Sequence, residues 1–390
     1  MDFISLEKDA IGWRRHIHQH PELGFKEFET TKYIRERLEE FGIADFIPLK
    51  ETGVAAVIHG ASAGPCIAFR ADIDALPTAE DSGYPWPSLN PGVCHACGHD
   101  VHTAVLLGLS KALQQERTKL AGSVKLIFQP GEEIMCGAES IIRSGVLEDP
   151  IPEAIVGLHI WPQTPCGDVA FCHGPMMASS DSFTITVTGK QGHGAHPEVC
   201  VDALYIAAQV LIAVQGIVAR EVSPTDPSVV TIGTIVGGLA PNITAGEAVM
   251  KGTMRCMTLE TRSYIKEALE RIARQTAIAH KGNATVKFAG PGIPPVISDE
   301  KVLREVEIAA QQALGEDHIR ELKEPSMGSE DFSLYLKKIP GAFYRLGTAL
   351  KDNAATHKSL HSPQLFVPDE AIIAGIRVMY QFAVNRLGKG

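Results

Sequence analysis

The hydrophobic period of this chain changes once, near residue 180, and that change limits the fold more than any other feature. Before it, helical and strand-like patterns alternate. Apolar residues recur at three-to-four spacing over 6–19 and 28–41, which predicts amphipathic helices. Short strand-like runs follow at VAAVIH (54–59), CIAFR (66–70), SVKLIF (123–128) and EAIVGL (153–158), with helical stretches at 102–113 and 134–142. This alternation predicts an α/β domain, a mixed sheet covered by helices. Near 180 the period becomes two: Phe183, Ile185 and Val187 alternate with Thr184, Thr186 and Thr188, as in a half-exposed antiparallel strand. A helix at 201–219, strands at 229–236 and 248–254, a helix at 260–280 and a strand at 283–288 complete the order of a ferredoxin-like α+β unit.

The expected architecture is therefore a catalytic domain formed by 1–177 and 292–390, interrupted by an inserted domain at 178–291. Pro/Gly-rich segments, HGPMMASS (173–180) and PGIPP (291–295), flank the insertion as hinges. A length of 390 residues suits two or three domains.

Charge narrows the function. Thirty-six Lys and Arg against 46 Asp and Glu give a formal charge of −10, without a dense basic run, so nucleic acid is not an expected partner. The most apolar segment, ALYIAAQVLIAVQGIVA (203–219), is interrupted by Gln209 and Gln215 and flanked by Asp202 and Arg220. It reads as a buried or interface helix and not as a membrane span. The N-terminal sequence lacks a basic region leading into an apolar stretch, and the eight cysteines are not spaced as a disulfide framework. A cytoplasmic protein is expected, with cysteines free for metal or redox chemistry.

Four polar clusters stand after strand-like runs or in turns: HACGHDVH (95–102), QPGEE (129–133), LHIWP (158–162) and LHSP (360–363). Ligands bind at the carboxyl ends of strands in open α/β sheets. The first cluster packs three His, one Cys and one Asp into eight residues, a donor set suited to zinc or a similar late transition metal. A His-rich surface loop or a dithiol at Cys94 and Cys97 is the alternative. Glu132 and Glu133 follow a strand; in extended backbone their side chains would point to opposite sides, one for a metal and one for a general base.

The motifs RADIDALP (70–77), HACGHDVHTA (95–104), FQPGEE (128–133), GLHIWP (157–162), GHGAHPE (192–198), GTMR (252–255), MGSEDF (327–332) and LHSP (360–363) occur in this order. Together they resemble the co-catalytic metallohydrolases related to aminoacylase and carboxypeptidase G. The branch they most resemble contains hippurate hydrolases, N-acyl-amino-acid amidohydrolases and auxin-conjugate hydrolases. The resemblance covers nearly the whole chain. It implies two divalent metal ions, zinc first with manganese, cobalt or nickel as alternatives. Cys97 is implied as the bridging thiolate, His99 and His159 as ligands of one ion, and Glu133 and His361 of the other. Glu132 is implied as the general base and His193 as the group completing the oxyanion site. Asn242, Arg255 and Gly328 are implied as substrate contacts, the first two for a carboxylate. Asp74 is expected either to orient a metal ligand or to be an ordinary structural carboxylate; His196 and Asp72 also lie in family motifs. The inserted domain is implied as lid and as the surface of a homodimer, or of a dimer-based tetramer.

Two departures from the family pattern stand out. Thr244 and Ala245 follow Asn242 where a hydrophobic pair ending in Pro is usual, which bears on the shape of the carboxylate pocket. Cys94 stands where relatives have an apolar residue and is read as non-ligating. The implied activity is hydrolysis of the amide bond of N-acyl-L-amino acids. A dipeptidase or carboxypeptidase, and a non-catalytic metal-binding or redox protein, are the rival readings.

Overall fold

The computed structural model describes residues 1–388 and divides into two compact units. The first comprises Met1–Gly174, Ile297–Lys323 and the chain from Asp331 onward; the second comprises Pro175–Val296 and Glu324–Glu330. The second unit thus takes in a short later segment, carrying Gly328, that the sequence pattern assigned to the outer domain.

The first unit is built on an eight-stranded sheet. Its strands lie in the order Asp45–Ile47, Val54–His59, Ala121–Gln129, Ser62–Asp72, Ala154–Pro165, Gly341–Ala349, Val169–Phe171 and Ile319–Glu321. Parallel and antiparallel pairs are mixed, as expected. Alternate residues divide the sheet into two chemically different faces. Ile67, Phe69, Val124, Leu126, Val156, Leu158 and Ile160 join the main core with helices Phe3–Gln19, His99–Gln115 and Ala371–Leu387. The intervening positions, Arg70, Asp72, Gln129 and His159, turn to the opposite face and are buried there too. That face is a polar network: Arg70 donates to Asp72 (2.8 Å), Gln129 (2.9 Å) and Asp331 (3.0 Å), and Gln129 donates to Asp331 (2.8 Å).

Two element boundaries differ from the sequence pattern. The strand expected at 153–158 continues to Pro165, because Gly341–Ala349 pairs with it in parallel along that length. His159 is therefore inside a strand and not after one. The helix expected from 102 begins at His99, since Gly98 in the left-handed region (φ +79°) turns the chain directly into it.

The second unit carries the β-α-β-β-α-β order. Strands Asp181–Thr188, Ser228–Gly237, Glu247–Cys256 and Asn283–Phe288 form an antiparallel sheet, and helices Ala203–Gly216 and Leu259–Ala279 pack on one face. Phe183, Ile185 and Val187 are buried on that face, as the two-residue period requires. Among the described residues, Ala203–Glu221 is the one helical stretch long and apolar enough to cross a membrane. Its Ile206, Val210 and Val214 are instead buried in the core of this unit.

A buried ion network fixes the start of helix His99–Gln115. Arg14 donates to Asp100 (3.0 Å), Tyr84 (2.6 Å) and the carbonyl of Val367 (2.8 Å), while His18 bridges Asp100 (2.9 Å) and Glu80 (3.0 Å). Burial alone would raise Asp100, but the charges of Arg14 and His18 outweigh it and hold the carboxyl far below its usual range. Burial would likewise lower His18, yet Asp100 and Glu80 raise it. Asp100 therefore contributes stability above its unfolded pKa of ~3.9, lost as pH falls through its folded value. His18 contributes below its unfolded pKa of ~6.5, lost as pH rises through its folded value. Denaturant titration of metal-stripped protein should show this contribution greatest between about pH 4 and 6.5. Asp100→Asn should flatten both flanks, and an unchanged pH profile would contradict the network's role.

Candidate metal centre

Turns at the strand ends and one helix start bring the donor atoms together. Gly98 lies between Cys97 and His99, and a Cβ there would stand 2.6 Å from Ile160, so the turn requires glycine. His361 also adopts a left-handed conformation (φ +67°), uncommon outside glycine, and its N–H donates to the carbonyl of Ala96 (2.8 Å). That bond ties the LHSP turn to the HACGHD loop, although the two are distant in sequence.

Several three-donor groups result, and two of them share Cys97. Cys97, His99 and His159 form one, and Cys97, Glu133 and His361 the other; within each, the ligand atoms lie within 4.8 Å of one another. Cys97 belongs to both, with its Sγ 3.4 Å from Nε2 of His159 and 3.4 Å from Nε2 of His361. Nε2 of His361 is 3.4 Å from Glu133, and Nε2 of His99 is 3.8 Å from Glu133.

Hydrogen bonds on the far ring nitrogens decide which imidazoles can coordinate. A carbonyl can only accept, so His99 carries its proton on Nδ1, donating to the Asp74 carbonyl (2.9 Å). His159 does the same toward the carbonyl of Ile160 (2.7 Å). In their neutral forms both therefore direct an Nε2 lone pair inward, the arrangement that second-sphere bonds impose on ligating histidines. His102 differs. Its Nε2 accepts the N–H of Ile160 (2.9 Å) and its Nδ1 donates to Asp72 (2.5 Å), so neither nitrogen is left for a metal.

Glu132 and Glu133 depart from the expected extended geometry. Residues 132–135 form a turn, and both carboxylates lie within 4.8 Å of His99 instead of on opposite sides. Two other acids shape this turn. Buried Glu27 accepts the N–H of Gly131 (2.9 Å), and Asp74 accepts the N–H of Glu133 (3.0 Å). Asp74 thus touches both His99 and Glu133. Glu27 and His102 were not singled out from sequence; the i, i+3 spacing of His99 and His102 was the available signal for the latter. Cys94 belongs to neither three-donor group.

The electrostatics are unbalanced toward negative charge. Burial, reinforced by Glu133 and Glu132, pushes the Cys97 thiol well above its ordinary range. Burial also raises Glu133, and with His102 it lowers His159. Burial would lower His99, but Asp72 and Asp74 reverse this and raise it to about 10. Nε2 of His99 and Oε1 of Glu133 are buried without a hydrogen-bond partner. Orphaned donors around a thiol that cannot ionise alone are what a divalent cation would satisfy.

The remaining sequence candidates lie in the second unit and form two local groups. His193 pairs with Ile243, and the N–H of Gly194 donates to the carbonyl of Asn242 (2.9 Å). Nδ1 of His193 accepts the N–H of Ala195 (3.1 Å), which leaves the proton on an exposed Nε2. Half-buried Arg255 donates to the hydroxyl of Ser329, next to Gly328, whose carbonyl accepts the N–H of Ala178 (2.9 Å).

Comparison with known proteins gives the same direction. The chain is 39% identical to the N-acetyl-L-cysteine deacetylase of Bacillus subtilis over 389 residues, covering 99% of this chain and 90% of that protein. It is 37% identical to the IAA-amino acid hydrolase ILR1-like 4 of Arabidopsis thaliana over 394 residues, covering 99% and 88%. Among solved structures it superposes on the Bacillus subtilis YXEP protein, described as a dinuclear metal binding peptidase from the M20 family. That match has a TM-score of 0.84 and 36% identity, and covers 98% of each chain. The sequence profile of Peptidase family M20/M25/M40 matches residues 68–385, and the chain belongs to this family.

Proposed function

We propose that this metal-dependent amidohydrolase cleaves the amide bond of N-acyl-L-amino acids, releasing a carboxylic acid and the free amino acid. The observation that carries the reading is the pair of three-donor groups sharing one thiol. Relatives named N-acetyl-L-cysteine deacetylase, N-acyl-L-amino acid amidohydrolase and IAA-amino acid hydrolase support the substrate class.

The donor set and the dinuclear neighbour support two divalent ions. Cys97, His99 and His159 would hold one, and Cys97, Glu133 and His361 the other; thiolate and imidazole favour zinc, with manganese, cobalt and nickel as alternatives. Bound there, the ions would supply Lewis acidity, bringing water toward ionisation near neutral pH and offsetting charge on the scissile carbonyl. Glu132 takes the proton from the attacking water and returns one to the leaving amine. His193, with its proton on Nε2, donates to the carbonyl oxygen as charge develops there. Arg255 and Asn242 hold the free carboxylate, the planar guanidinium matching it bidentately, while the Gly328 turn supports Arg255 through Ser329. Asp74 fixes His99 and the backbone of Glu133.

The same reading includes a homodimer. Strand Ser228–Gly237 is an edge of its sheet, with Val236 71% exposed, and helix Ala203–Gly216 leaves Ile212 65% exposed. Exposed apolar side chains beside an unpaired edge favour pairing with a second copy. Light scattering should give twice the chain mass for the wild type and a monomer for Ile212→Glu with Val236→Glu. A wild-type monomer would remove the dimer.

Neighbouring carboxylates give the test of the activity. Glu132→Gln should leave metal content and melting temperature nearly unchanged while turnover falls ~10²–10⁴-fold. Glu133→Ala should lower metal occupancy, because it removes a ligand atom. The reverse pattern would exchange their roles, and full turnover in both variants, or in chelator-treated protein, would overturn the metal-dependent mechanism.

A further inference from the structure

Three arginines are buried among the described residues, and two of them are neutralised. Arg14 meets Asp100 and Asp369, and Arg70 meets Asp72 and Asp331. Arg345 is the exception. Its side chain is 4% exposed; among the described residues no carboxylate lies within ion-pair distance, and Nε and Nη2 are both buried without a hydrogen-bond partner. A guanidinium left in this way is unfavourable, and groups of this kind are paired when a protein works.

Its position is informative. Arg345 lies in strand Gly341–Ala349, in register with His159 on the parallel neighbour, about 4.8 Å away across the sheet. The guanidinium carbon stands 3.6 Å from the centre of the Trp161 ring, and Trp161, two residues beyond His159, shares its sheet face. The ring therefore stacks on the guanidinium, whose Nε and Nη2 stay enclosed and unpaired beside one of the proposed metal ligands. The two orphaned atoms belong to the same edge of the fork. Elsewhere in this chain that edge grips a carboxylate: Nε and Nη2 of Arg262 donate to the two oxygens of Asp181 at 2.7 and 2.8 Å.

We propose that the Nε/Nη2 edge of Arg345, backed by Trp161, is a binding position for a planar carboxylate beside His159, additional to the one assigned to Arg255. The carboxylate has two sources of the same chemistry: the second carboxylate of a dicarboxylic N-acyl amino acid, or a free small carboxylate such as the acid product. The first source rests on the proposed amidohydrolase activity; the binding position does not.

The test uses metal-replete enzyme, wild type against Arg345→Met, with Arg345→Gln as a second variant. Both should fold with melting temperatures equal to or above wild type, because an unpaired buried cation is removed. In the first arm, kcat/KM is compared for N-succinyl against N-butyryl amino acids and for N-acetylglutamate against N-acetylglutamine. If the substrate is the source, one dicarboxylic-to-neutral ratio falls at least about 10-fold in the variants, and Arg255→Ala does not change that ratio. In the second arm, succinate and acetate titrate intrinsic tryptophan fluorescence, to which Trp161 contributes. Weaker binding in the variants with unchanged substrate ratios identifies a free carboxylate as the source. Unchanged ratios together with unchanged carboxylate binding overturn the proposal, as does a lower melting temperature as the only effect, which would make Arg345 a structural partner of Trp161. If wild type hydrolyses no member of the panel, the amidohydrolase reading fails while the fluorescence arm still decides the binding position.

Discussion

One buried sulfur organises this molecule. Cys97 faces His159 on one side and His361 on the other, each at 3.4 Å, and every other donor is placed relative to it. Much of the surrounding structure maintains that position. Gly98 supplies the left-handed turn that lets Cys97 and His99, two residues apart, serve the same site. The strained conformation of His361 is stabilised by its bond to Ala96, one residue before the thiol. Positive φ at a non-glycine residue costs about 1–3 kcal/mol and persists where surrounding contacts require it. Such strain next to a donor atom suits a site that must keep its geometry before a ligand arrives.

The same concern with placement extends into the protein's interior. The sheet of the first unit is apolar on the face that packs against its long helices and charged on the other. On the charged face, Asp72 fixes His102, and His102 in turn accepts the N–H of Ile160, the residue whose carbonyl sets the tautomer of His159. Behind helix His99–Gln115, Arg14 and His18 hold Asp100 beside His99. Against a well-packed apolar replacement, buried charges of this sort add little net stability, although removing one partner is costly. Their effect is positional: they fix the orientation of imidazoles that must present an unprotonated nitrogen.

Much of this was legible in the sequence, for physical reasons. The change of hydrophobic period marked the inserted β-α-β-β-α-β unit, because strand and helix bury different residue spacings. Local clusters such as HACGHD pointed toward metal chemistry, since thiol and imidazole in one turn are the donors that zinc-like ions favour. What remained hidden depends on tertiary contacts. His159 lies inside a strand because its parallel partner extends that strand to Pro165. Glu132 and Glu133 face the same pocket because Glu27 and Asp74 bind the backbone of a turn that the two residues do not specify by themselves. Arg345 drew no notice, for an arginine in an apolar strand is informative only once its partners are known to be missing.

We propose that Cys97 is shared between two ions. Cobalt(II) titration of metal-free protein tests it directly, since a thiolate ligand gives a sulfur-to-cobalt charge-transfer absorption. The predicted result is saturation at two equivalents per chain, with the charge-transfer band present in wild type and absent in Cys97→Ser. Saturation at one equivalent, or a band that survives in Cys97→Ser, would contradict the shared thiol.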